Sequence, residues 1–431
     1  MTKVAFIGAG SIEFTRNVVT DLCSFPELAG DVEIALHDIS PERLGFAEEL
    51  ARRIVAQSGA GAKVTANPDR PRALAGAAYV INEIQVGGYD ATRIDFDIPA
   101  RYGVRQTIAD TLGIGGIFRG LRTIPVVVGL AEDMMTHCPD AYLLNYTNPM
   151  AMLPRAVYEA TPFRNVFGLC HSVRDTHAHL AGLVGLDVDD VEFVTAGFNH
   201  QAFVLKFEHA GESLYPRLRE VLDASPEHGR RARVEIFRRF GYFPTESSEH
   251  SAEYVPWFMR HEAEIERFQI FVGDYLERSE ENLREYESLQ RQLSGQEPID
   301  LQPTHELASQ FIHSLETGHE AEIYVNVRND SLITNLPDEC CVEVPCTLSS
   351  SGARPVAVGA LPPQLAALNR TFLNVVELTV AAALTGDRQH VYQAALLDPN
   401  TAATLTTSQT VAMCDELLAA HSSSLPPGLG T

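Results

Sequence analysis

Short apolar runs alternate with helix-like stretches over the first third of the chain. Val4–Gly10, "VAFIGAG", predicts a buried strand that leads into a glycine turn, and Val32–Ile39, "VEIALHDI", predicts a second strand. Three further apolar runs follow at 77–84, 140–147 and 165–170, with helical patterns between them. Because strands and helices alternate, the pattern predicts a parallel, doubly wound sheet of the Rossmann type with helices on both faces.

The pattern changes after about residue 195. Residues 191–216 predict antiparallel strands, and residues 261–294 predict a long, highly charged helical stretch that is exposed to solvent. Residues 322–346 predict a strand, a turn and two more strands, and residues 361–421 are helical in pattern. The fold class is therefore α/β, with an α+β C-terminal part.

The length of 431 residues exceeds what one ordinary core accommodates and fits two domains or one elaborated α/β body; the change of pattern favours two domains. A dinucleotide-binding domain would span residues 1–195. An α+β domain that serves substrate binding, metal binding and oligomerisation would span residues 196–431.

Composition and charge narrow the classes of partner. A formal net charge of −24 argues against nucleic acid or an anionic membrane surface, since both attract surfaces rich in Lys and Arg. We see neither an uninterrupted apolar run of membrane-spanning length nor a signal-peptide pattern, so we expect a cytoplasmic protein. Seven cysteines without regular spacing do not indicate a disulfide framework, which leaves Cys170 free to act as a ligand.

The glycine turn after the first strand predicts a dinucleotide site. Gly8 and Gly10 match the first two glycines of the G-x-G-x-x-G pattern, and with Ser11 they precede a helix whose free N–H groups can bind phosphates. Glu13 stands where the third glycine is usual. Asp38, at the end of the second strand, is placed for a ribose 2′-hydroxyl and favours NAD over NADP.

A thiol and an imidazole follow two other strands. Cys170 ends the run "NVFGLC", and His200 follows the strand in "VEFVTAGFNH". Ligands at open α/β sheets bind at the carboxyl ends of strands, so we expect both side chains to face the same edge as the glycine turn and to converge on one metal ion. His171 points away from Cys170 if the strand pleat continues, and could reach substrate instead.

An asparagine in "NYTNPMAML" is a candidate for substrate binding. Asn148 follows the strand "AYLL", and an amide at a strand's carboxyl end can hold a substrate hydroxyl. The same residue is equally suited to cap the next helix, and the two roles are compatible.

At this point the chain resembles the NAD- and divalent-metal-dependent glycoside hydrolases of family 4. The matching stretches cover nearly the whole chain in order and include "IGAGSIEFT", "DTLGIGGIFRGLRTIPV", "NYTNPMAM", "GLCHSV", "GFNHQAF" and "SSEHSAEYVPWF". Within the family, "CHSV" is similar to the α-galactosidase subgroup. The phospho-glycosidases carry Asn or Asp where His171 stands, so the resemblance implies an unphosphorylated sugar. Relatives with "CHG" or "CHE" act on α-glucosides or α-glucuronides, which remain the alternatives.

The resemblance also implies roles for residues. The cofactors would be NAD and a divalent metal, typically Mn²⁺, and the family habit is homodimers or homotetramers. NAD⁺ would take a hydride from C3 of the sugar, which makes the C2 proton removable; elimination, water addition and return of the hydride would follow. The implied metal ligands are Cys170 and His200, and the implied sugar contacts are Asn148 and Asp110. The implied base is Tyr254, and the implied leaving-group acid is His171. Glu253 and His250 are alternatives for the acid, although we expect both to lie in a solvated loop.

Two functions of other classes remain as alternatives. The strand–"GAG"–helix start and "TNPM" also resemble the lactate and malate dehydrogenases, whose fold family 4 shares, so an NAD-dependent 2-hydroxy-acid dehydrogenase is the first. It predicts net NADH production without a metal requirement, and it leaves Cys170 and His200 without a task. A non-catalytic NAD-binding sensor is the second and predicts no turnover of any glycoside.

Overall fold

The computed structural model describes residues 1–295 and 298–430. In these ranges the chain forms twelve strands: β1 Thr2–Ile7, β2 Val32–His37, β3 Lys63–Ala66, β4 Tyr79–Asn82, β5 Tyr142–Asn145, β6 Val166–Gly168, β7 Glu192–Phe198, β8 Gln201–His209, β9 Glu212–Ser213, β10 Ala321–Arg328, β11 Cys341–Ser349 and β12 Gly352–Pro355.

The same ranges hold eighteen α-helices and a 3₁₀ turn at Val188–Asp190: α1 Ile12–Ser24, α2 Pro41–Ser58, α3 Arg70–Leu74, α4 Gly88–Arg101, α5 Gly113–His137, α6 Met152–Ala160, α7 Ser172–Leu183, α8 Tyr215–Ala224, α9 Pro226–Gly229, α10 Ala232–Phe240, α11 Ser248–Glu253, α12 Glu262–Phe268, α13 Asp274–Ser294, α14 Leu307–Thr317, α15 Pro363–Thr385, α16 Arg388–Leu397, α17 Pro399–Thr404 and α18 Thr407–Ala420.

The strands form one continuous mixed sheet. Six neighbouring strands pair in parallel in the order β3-β2-β1-β4-β5-β6, which is the order of a doubly wound dinucleotide-binding sheet. Beyond β6 the sheet continues with antiparallel strands in the order β10-β11-β7-β8-β9, and β12 pairs with β11. The predicted α/β fold with an N-terminal Rossmann-type sheet is confirmed. The domain boundary at residue 195 stays a prediction, since the sheet runs across it.

Two single residue pairs connect strands β10 and β11 to their neighbours in the sheet. Gly168, the last residue of β6, pairs with Asn326 of β10, and Glu343 of β11 pairs with Gly197 of β7. Because Asn326 and Glu343 also pair with each other, these four residues form a row across four strands, which we call the junction row. The sequence of antiparallel pairings makes β7 run opposite to β6. The two strands therefore end at the junction row from opposite sides.

Apolar residues of the parallel strands and of the long helices build the main core. Strand β1 is buried over Val4–Ile7, because helices cover both faces of the sheet. Helix α5 is long and apolar enough to cross a membrane. It is not an uninterrupted apolar run, because Arg119 and Arg122 lie within it. However, 78% of its apolar window is buried inside the protein, so its composition is that of a core helix.

Three local predictions need correction. The charged stretch 261–294 forms α12 and α13, and the second helix is not wholly solvated, since Leu289 and Leu293 are buried. Segment 322–346 holds only two strands, because β11 continues without a break to residue 349. The composition of the final "SSSLPPGLGT", rich in Ser, Pro and Gly, predicts disorder, but within the described part of this segment Leu429 packs into the core at 1% exposure.

Candidate active site

The glycine turn is built by close backbone contacts. Gly8 has a φ of +89°, a conformation that favours glycine, and its N–H donates to the carbonyl of His37, 3.0 Å away. The N–H of Gly10 donates to Oδ2 of Asp38 at 2.9 Å. A Cβ on Gly10 would lie 2.6 Å from that carboxylate oxygen, so a larger residue there would displace Asp38.

The start of α1 is open to an anion. Ser11 occupies the N-cap position, but its side chain makes no hydrogen bond to the helix. The backbone N–H groups in the first turn of α1 are therefore available for phosphate oxygens. Glu13 takes the place of the third glycine without disturbing the packing, because its side chain is exposed. Close contact with the sheet comes instead from the buried Thr15, whose Oγ1 lies 2.9 Å from the carbonyl oxygen of Ala9 and 2.7 Å from Oε1 of Glu83.

Cys170 and His200 lie next to each other, but the fold brings them together by a different route from the predicted one. The Sγ of Cys170 lies 3.1 Å from Nε2 of His200. They do not share the carboxyl edge of one parallel sheet, because β7 is antiparallel to β6. The chain segments beyond the two strand ends turn towards each other across the junction row. His200 is buried and has a φ of +63°, which a non-glycine residue rarely adopts and which is typical of functional sites.

The other nitrogen of His200 faces two hydroxyl groups. Its Nδ1 lies 3.1 Å from Oγ1 of Thr111 and 3.3 Å from the hydroxyl of Tyr254. These contacts orient the imidazole so that Nε2 points to Cys170. Tyr254 is fully buried, and its ring packs edge-on against Phe372. The structure thus brings the thiol, the imidazole and the phenol into one cluster.

Asp110 and Asn148 lie beside this cluster and bind each other. The Nδ2 of Asn148 donates to Oδ2 of Asp110 at 2.8 Å, and Thr111 donates to Oδ1, also at 2.8 Å. Burial alone would raise the pKa of Asp110, but the charge of Arg119 and the imidazoles of His250 and His200 hold it below its usual value. Among the described residues, no donor reaches the buried Oδ1 of Asn148, so this oxygen is free to accept a ligand's hydroxyl.

Two residues that the sequence analysis did not assign to the metal join the cluster. Glu246 places Oε2 3.9 Å from Nε2 of His200, and His250 places Nε2 3.9 Å from Oδ1 of Asp110. Ligand atoms of Cys170, His200 and Glu246 all lie within 4.8 Å of one another. The stretch "TESSEHSAEY", residues 245–254, has no spacing that singles out Glu246, so only the fold reveals it.

The electrostatics of the cluster favour a cation. Burial raises the pKa of the Cys170 thiol, and the carboxylates of Glu343 and Glu246 raise it further. Burial lowers the pKa of His250 to about 4, so its imidazole is neutral at pH 7. A thiol, imidazoles and carboxylates form a donor set that fits a divalent cation, and the charge of the cation is what would make the thiolate favourable.

The three candidates for the leaving-group acid lie in different surroundings. Glu253 is not in a solvated loop: it is buried, and its carboxylate accepts backbone N–H groups from residues 107, 108 and 109 at 2.8–3.1 Å. His250 is also buried, inside the cluster. His171 is held apart from it by a 2.7 Å contact between its Nε2 and Oε2 of Glu306. Glu253 therefore holds the 107–109 loop in place through hydrogen bonds to both of its oxygens.

A second buried carboxyl near the glycine turn also escaped the sequence analysis. Glu83 follows β4, and among the described residues its Oε2 has no hydrogen-bond partner. Burial raises its pKa well above the usual value. The residue is part of the apolar run "AAYVINEI", where a single acid gives no signal of its own.

Two family models match most of the chain. The model described as family 4 glycosyl hydrolase matches residues 3–186, and the model described as the family 4 glycosyl hydrolase C-terminal domain matches residues 195–401. Together the two matches span residues 3–401, apart from residues 187–194.

Relatives match the chain over nearly its whole length. The α-galactosidase of Bacillus subtilis (strain 168) is 42% identical over 99% of both chains. The α-galactosidase of Rhizobium meliloti (strain 1021) is 35% identical over 98% of this chain and 89% of its own. The structure of the 6-phospho-beta glucosidase of Thermotoga maritima, with manganese, NAD⁺ and glucose-6-phosphate, shares the fold with a TM-score of 0.81 at 22% identity, over 98% of this chain and 99% of its own. The chain is thus a glycosidase and belongs to family 4 of the glycosyl hydrolases.

Proposed function

We propose that the protein is an α-galactosidase that acts on unphosphorylated galactosides and uses NAD and a divalent cation, Mn²⁺, as cofactors. The observation that carries the proposal is the buried cluster of a thiol, an imidazole and a phenol, Cys170, His200 and Tyr254, beside a dinucleotide-type sheet. The two relatives at 42% and 35% identity are α-galactosidases, which supports the choice of sugar. An α-glucosidase or α-glucuronidase of the same family is the alternative.

The nucleotide would bind at the glycine turn. Gly8, Gly10 and Ser11 would face the pyrophosphate, and Asp38 would accept a ribose hydroxyl. Both oxygens of Asp38 already accept backbone N–H groups, from Gly10 at 2.9 Å and Ser40 at 2.8 Å, which orients the carboxylate and leaves lone pairs for the ribose. This negative charge supports NAD over NADP.

Cys170 and His200 would hold the cation. When bound, NAD would supply reversible hydride exchange with C3 of the sugar, and the cation would supply Lewis-acid stabilisation of charge on the C2 and C3 oxygens. Loss of the C2 proton then allows the C1–oxygen bond to break by elimination. This chemistry does not require the pair of catalytic carboxyl groups on which ordinary glycosidases depend.

Tyr254 is the proposed base for the C2 proton. Burial raises the pKa of its phenol well above the usual value, and the carboxylates of Asp110 and Glu253 raise it further. Without a positive charge nearby the phenol would keep its proton at neutral pH. The 3.3 Å contact with His200 places the hydroxyl next to the residue that would carry the cation, so the base form depends on the loaded site.

Asn148 and Asp110 would hold the sugar. The free Oδ1 of Asn148 can accept a sugar hydroxyl, while its Nδ2 is fixed by the 2.8 Å bond to Asp110. The main chain of Asn148 is fixed as well, because the buried Arg119 donates to its carbonyl at 3.2 Å. A rigid amide of this kind suits the precise placement that hydride exchange at C3 requires.

An unphosphorylated sugar fits the surroundings of His171. Burial alone would raise the pKa of Glu306, but its hydrogen bond with His171 lowers it, so the carboxylate stays ionised. A negative charge paired with His171 disfavours a phosphate at this position of the "CHSV" motif.

The leaving-group acid is proposed to be one of two imidazoles. His171 is the candidate from the sequence, and His250 is the one that lies in the cluster with His200, at a ring distance of 4.5 Å. Gln variants of each separate the two: loss of the acid should slow glycosides with poor leaving groups far more than p-nitrophenyl glycosides.

Assembly and location complete the proposal. We propose a homodimer or homotetramer in the cytoplasm, a compartment that keeps a partly exposed ligand thiol such as Cys170 reduced. Size-exclusion chromatography with light scattering measures the first, and fractionation of cells measures the second.

The test is a panel of p-nitrophenyl α-galactoside, α-glucoside and α-glucuronide, assayed with NAD⁺, Mn²⁺ and a thiol reductant. We expect rapid release from the α-galactoside, loss of activity on chelation, and slower release when C2 carries deuterium. Cleavage that continues undiminished after complete removal of the nucleotide would contradict the proposal. Net production of NADH from a 2-hydroxy acid without metal would favour the dehydrogenase alternative.

A further inference from the structure

A third group points to the place where Cys170 and His200 meet. We propose that Glu246 is a ligand of the divalent cation and supplies its oxygen through Oε2. The inference rests on the proposed function, because that function places a cation at this cluster. It adds a third ligand to the proposed metal site, whereas the sequence motifs indicate only Cys170 and His200.

The carboxylate of Glu246 has one oxygen in use and one to spare. Its Oε1 accepts the N–H of Ser247 at 3.2 Å and lies 3.5 Å from Nδ1 of His250. Among the described residues, no donor is within hydrogen-bond distance of Oε2, whose contact with Nε2 of His200 is 3.9 Å. That oxygen therefore faces the cluster without a hydrogen-bond partner there.

The separations suit ligands of one ion. Two ligand atoms at about 2.2 Å from a common cation lie roughly 3.1–3.6 Å apart in octahedral or tetrahedral geometry. The Sγ of Cys170 is 3.1 Å from Nε2 of His200, and Oε2 of Glu246 is 3.9 Å from that nitrogen. A movement of a few tenths of an ångström in one side chain brings all three atoms to bonding distance of a single point.

The main chain holds Glu246 in position. Its φ of +68° lies in the left-handed region, which a non-glycine residue adopts at a cost of the order of 1 kcal/mol or more. The N–H donates to Oγ1 of Thr176 at 3.2 Å, and the carbonyl accepts from Nη1 of Arg233 at 2.6 Å. The preceding residue, Thr245, donates its N–H to the carbonyl of Ala202 in β8 at 2.8 Å. Contacts from three elements thus fix a strained residue whose side chain faces the cluster.

The chemistry of the ion calls for such a ligand. Mn²⁺ prefers oxygen, whereas thiolate suits softer metals, so Cys170 and His200 alone form a site better matched to Zn²⁺ or Cd²⁺. A carboxylate adds the hard donor. Together with a thiolate it also balances the two positive charges of the ion in a buried place.

The experiment measures metal binding directly. Chelator-treated wild type, Glu246→Gln and Glu249→Gln are titrated with Mn²⁺ and with Cd²⁺ in a calorimeter, without sugar. Glu249 lies in the same segment, but its carboxylate is not among the converging ligand atoms, so its variant is the matched control. We expect Glu246→Gln to weaken Mn²⁺ binding by about 10- to 100-fold, to weaken Cd²⁺ binding much less, and to leave NAD⁺ affinity unchanged. Glu249→Gln should match the wild type.

A second readout guards against a folding defect in the variant. At saturating Mn²⁺, water-proton relaxation counts the water molecules on the ion, and the Gln variant should show one more than the wild type. Equal Mn²⁺ affinity and equal hydration in Glu246→Gln and wild type, with binding abolished in Cys170→Ser, would overturn the inference and leave the proposed function standing. Failure of the wild type to bind either metal would overturn the proposed function itself.

Discussion

Burial of the carboxyl group of Glu343 makes its ionised form unfavourable in the folded protein. Removal of the charge by substitution offers a quantitative test of the structure. The residue is fully buried in the junction row, and burial raises the pKa of its carboxyl to about 7. Its Oε1 accepts Nδ2 of Asn199 at 3.2 Å and Nδ2 of Asn326 at 3.1 Å. Its Oε2 has no partner among the described residues. A glutamine can therefore accept both of these hydrogen bonds through its side-chain oxygen. Its NH₂ group then takes the position of Oε2, the oxygen that accepts no hydrogen bond from the described residues.

The sign follows from proton linkage. The folded chain holds the Glu343 proton more tightly than the unfolded chain, in which the glutamate has a pKa near 4.5. The contribution of Glu343 to the free energy of unfolding is therefore fully present at low pH, and it falls as the pH rises from about 4.5 to about 7. Each tenfold change in proton affinity is worth about 1.4 kcal/mol, which gives a loss of about 3 kcal/mol by pH 8. Glu343→Gln removes this loss. We expect the metal-free variant to gain about 3 kcal/mol over the wild type at pH 8 and about 1 kcal/mol or less at pH 5.

Scanning calorimetry of the chelator-treated proteins measures the effect. For a chain of this length, about 0.9 kcal/mol changes the unfolding temperature by roughly 1 °C, so Glu343→Gln should melt about 3 °C higher than the wild type at pH 8. The difference between the two proteins cancels all other titrating groups. Glu249→Gln, which removes a partly exposed carboxylate, should show no such pH dependence. A Gln variant that melts lower at pH 8, or that has the same advantage at both pH values, would refute the reasoning.

Three more variants test the turn, the base and a buried ion pair. Gly10→Ala should lower NAD⁺ affinity at least about tenfold in calorimetry, because its methyl group would meet a carboxylate oxygen at 2.6 Å, while Gly45→Ala, with open space around it in α2, should bind normally and gain up to about 1 kcal/mol of stability. Tyr254→Phe should reduce kcat for p-nitrophenyl α-galactoside by about 10²- to 10⁴-fold at an unchanged melting temperature, and an unchanged kcat would remove the residue from the role of base. Asp95→Asn should lower the free energy of unfolding, measured by calorimetry, by about 3–5 kcal/mol. The reason is that the guanidinium of Arg122, which is 1% exposed and lies 2.6 Å from Asp95, loses its counter-charge. A loss below about 1 kcal/mol would show that the pair is not buried in solution.

Local patterns sufficed for much of the fold. The runs around Val4 and Val32 predicted parallel strands because strands covered on both faces are apolar throughout, and the glycine turn was visible because Gly8 needs a positive φ. The break between α12 and α13 was missed, although Gly273, with a φ of +82°, gave a signal for it. The pairing of β7 with β11 depends on contacts far apart in sequence, which no local pattern encodes.

The site was predictable only where residue chemistry is unusual. Cys170 and His200 stood out as a thiol and an imidazole after strands, and the resemblance to family 4 added Tyr254 and Asp110. The buried acids Glu83 and Glu343 and the partly buried Glu246 could not be recognised, because isolated glutamates in a sequence are most often on the surface. Their burial results from tertiary packing, and so do the shifted pKa values that go with it.

The junction row has a consequence for the order in which the enzyme matures. As the ribosome extends the chain, the strands of the nucleotide-binding sheet emerge first, and Asn326 and Glu343, which lie between β6 and β7, emerge long afterwards. A nascent or truncated chain can thus have a dinucleotide fold before its thiol and imidazole are brought together. Such a chain would lack the proposed metal pair, so the proposed reactive centre would form only after Asn326 and Glu343 have joined the sheet.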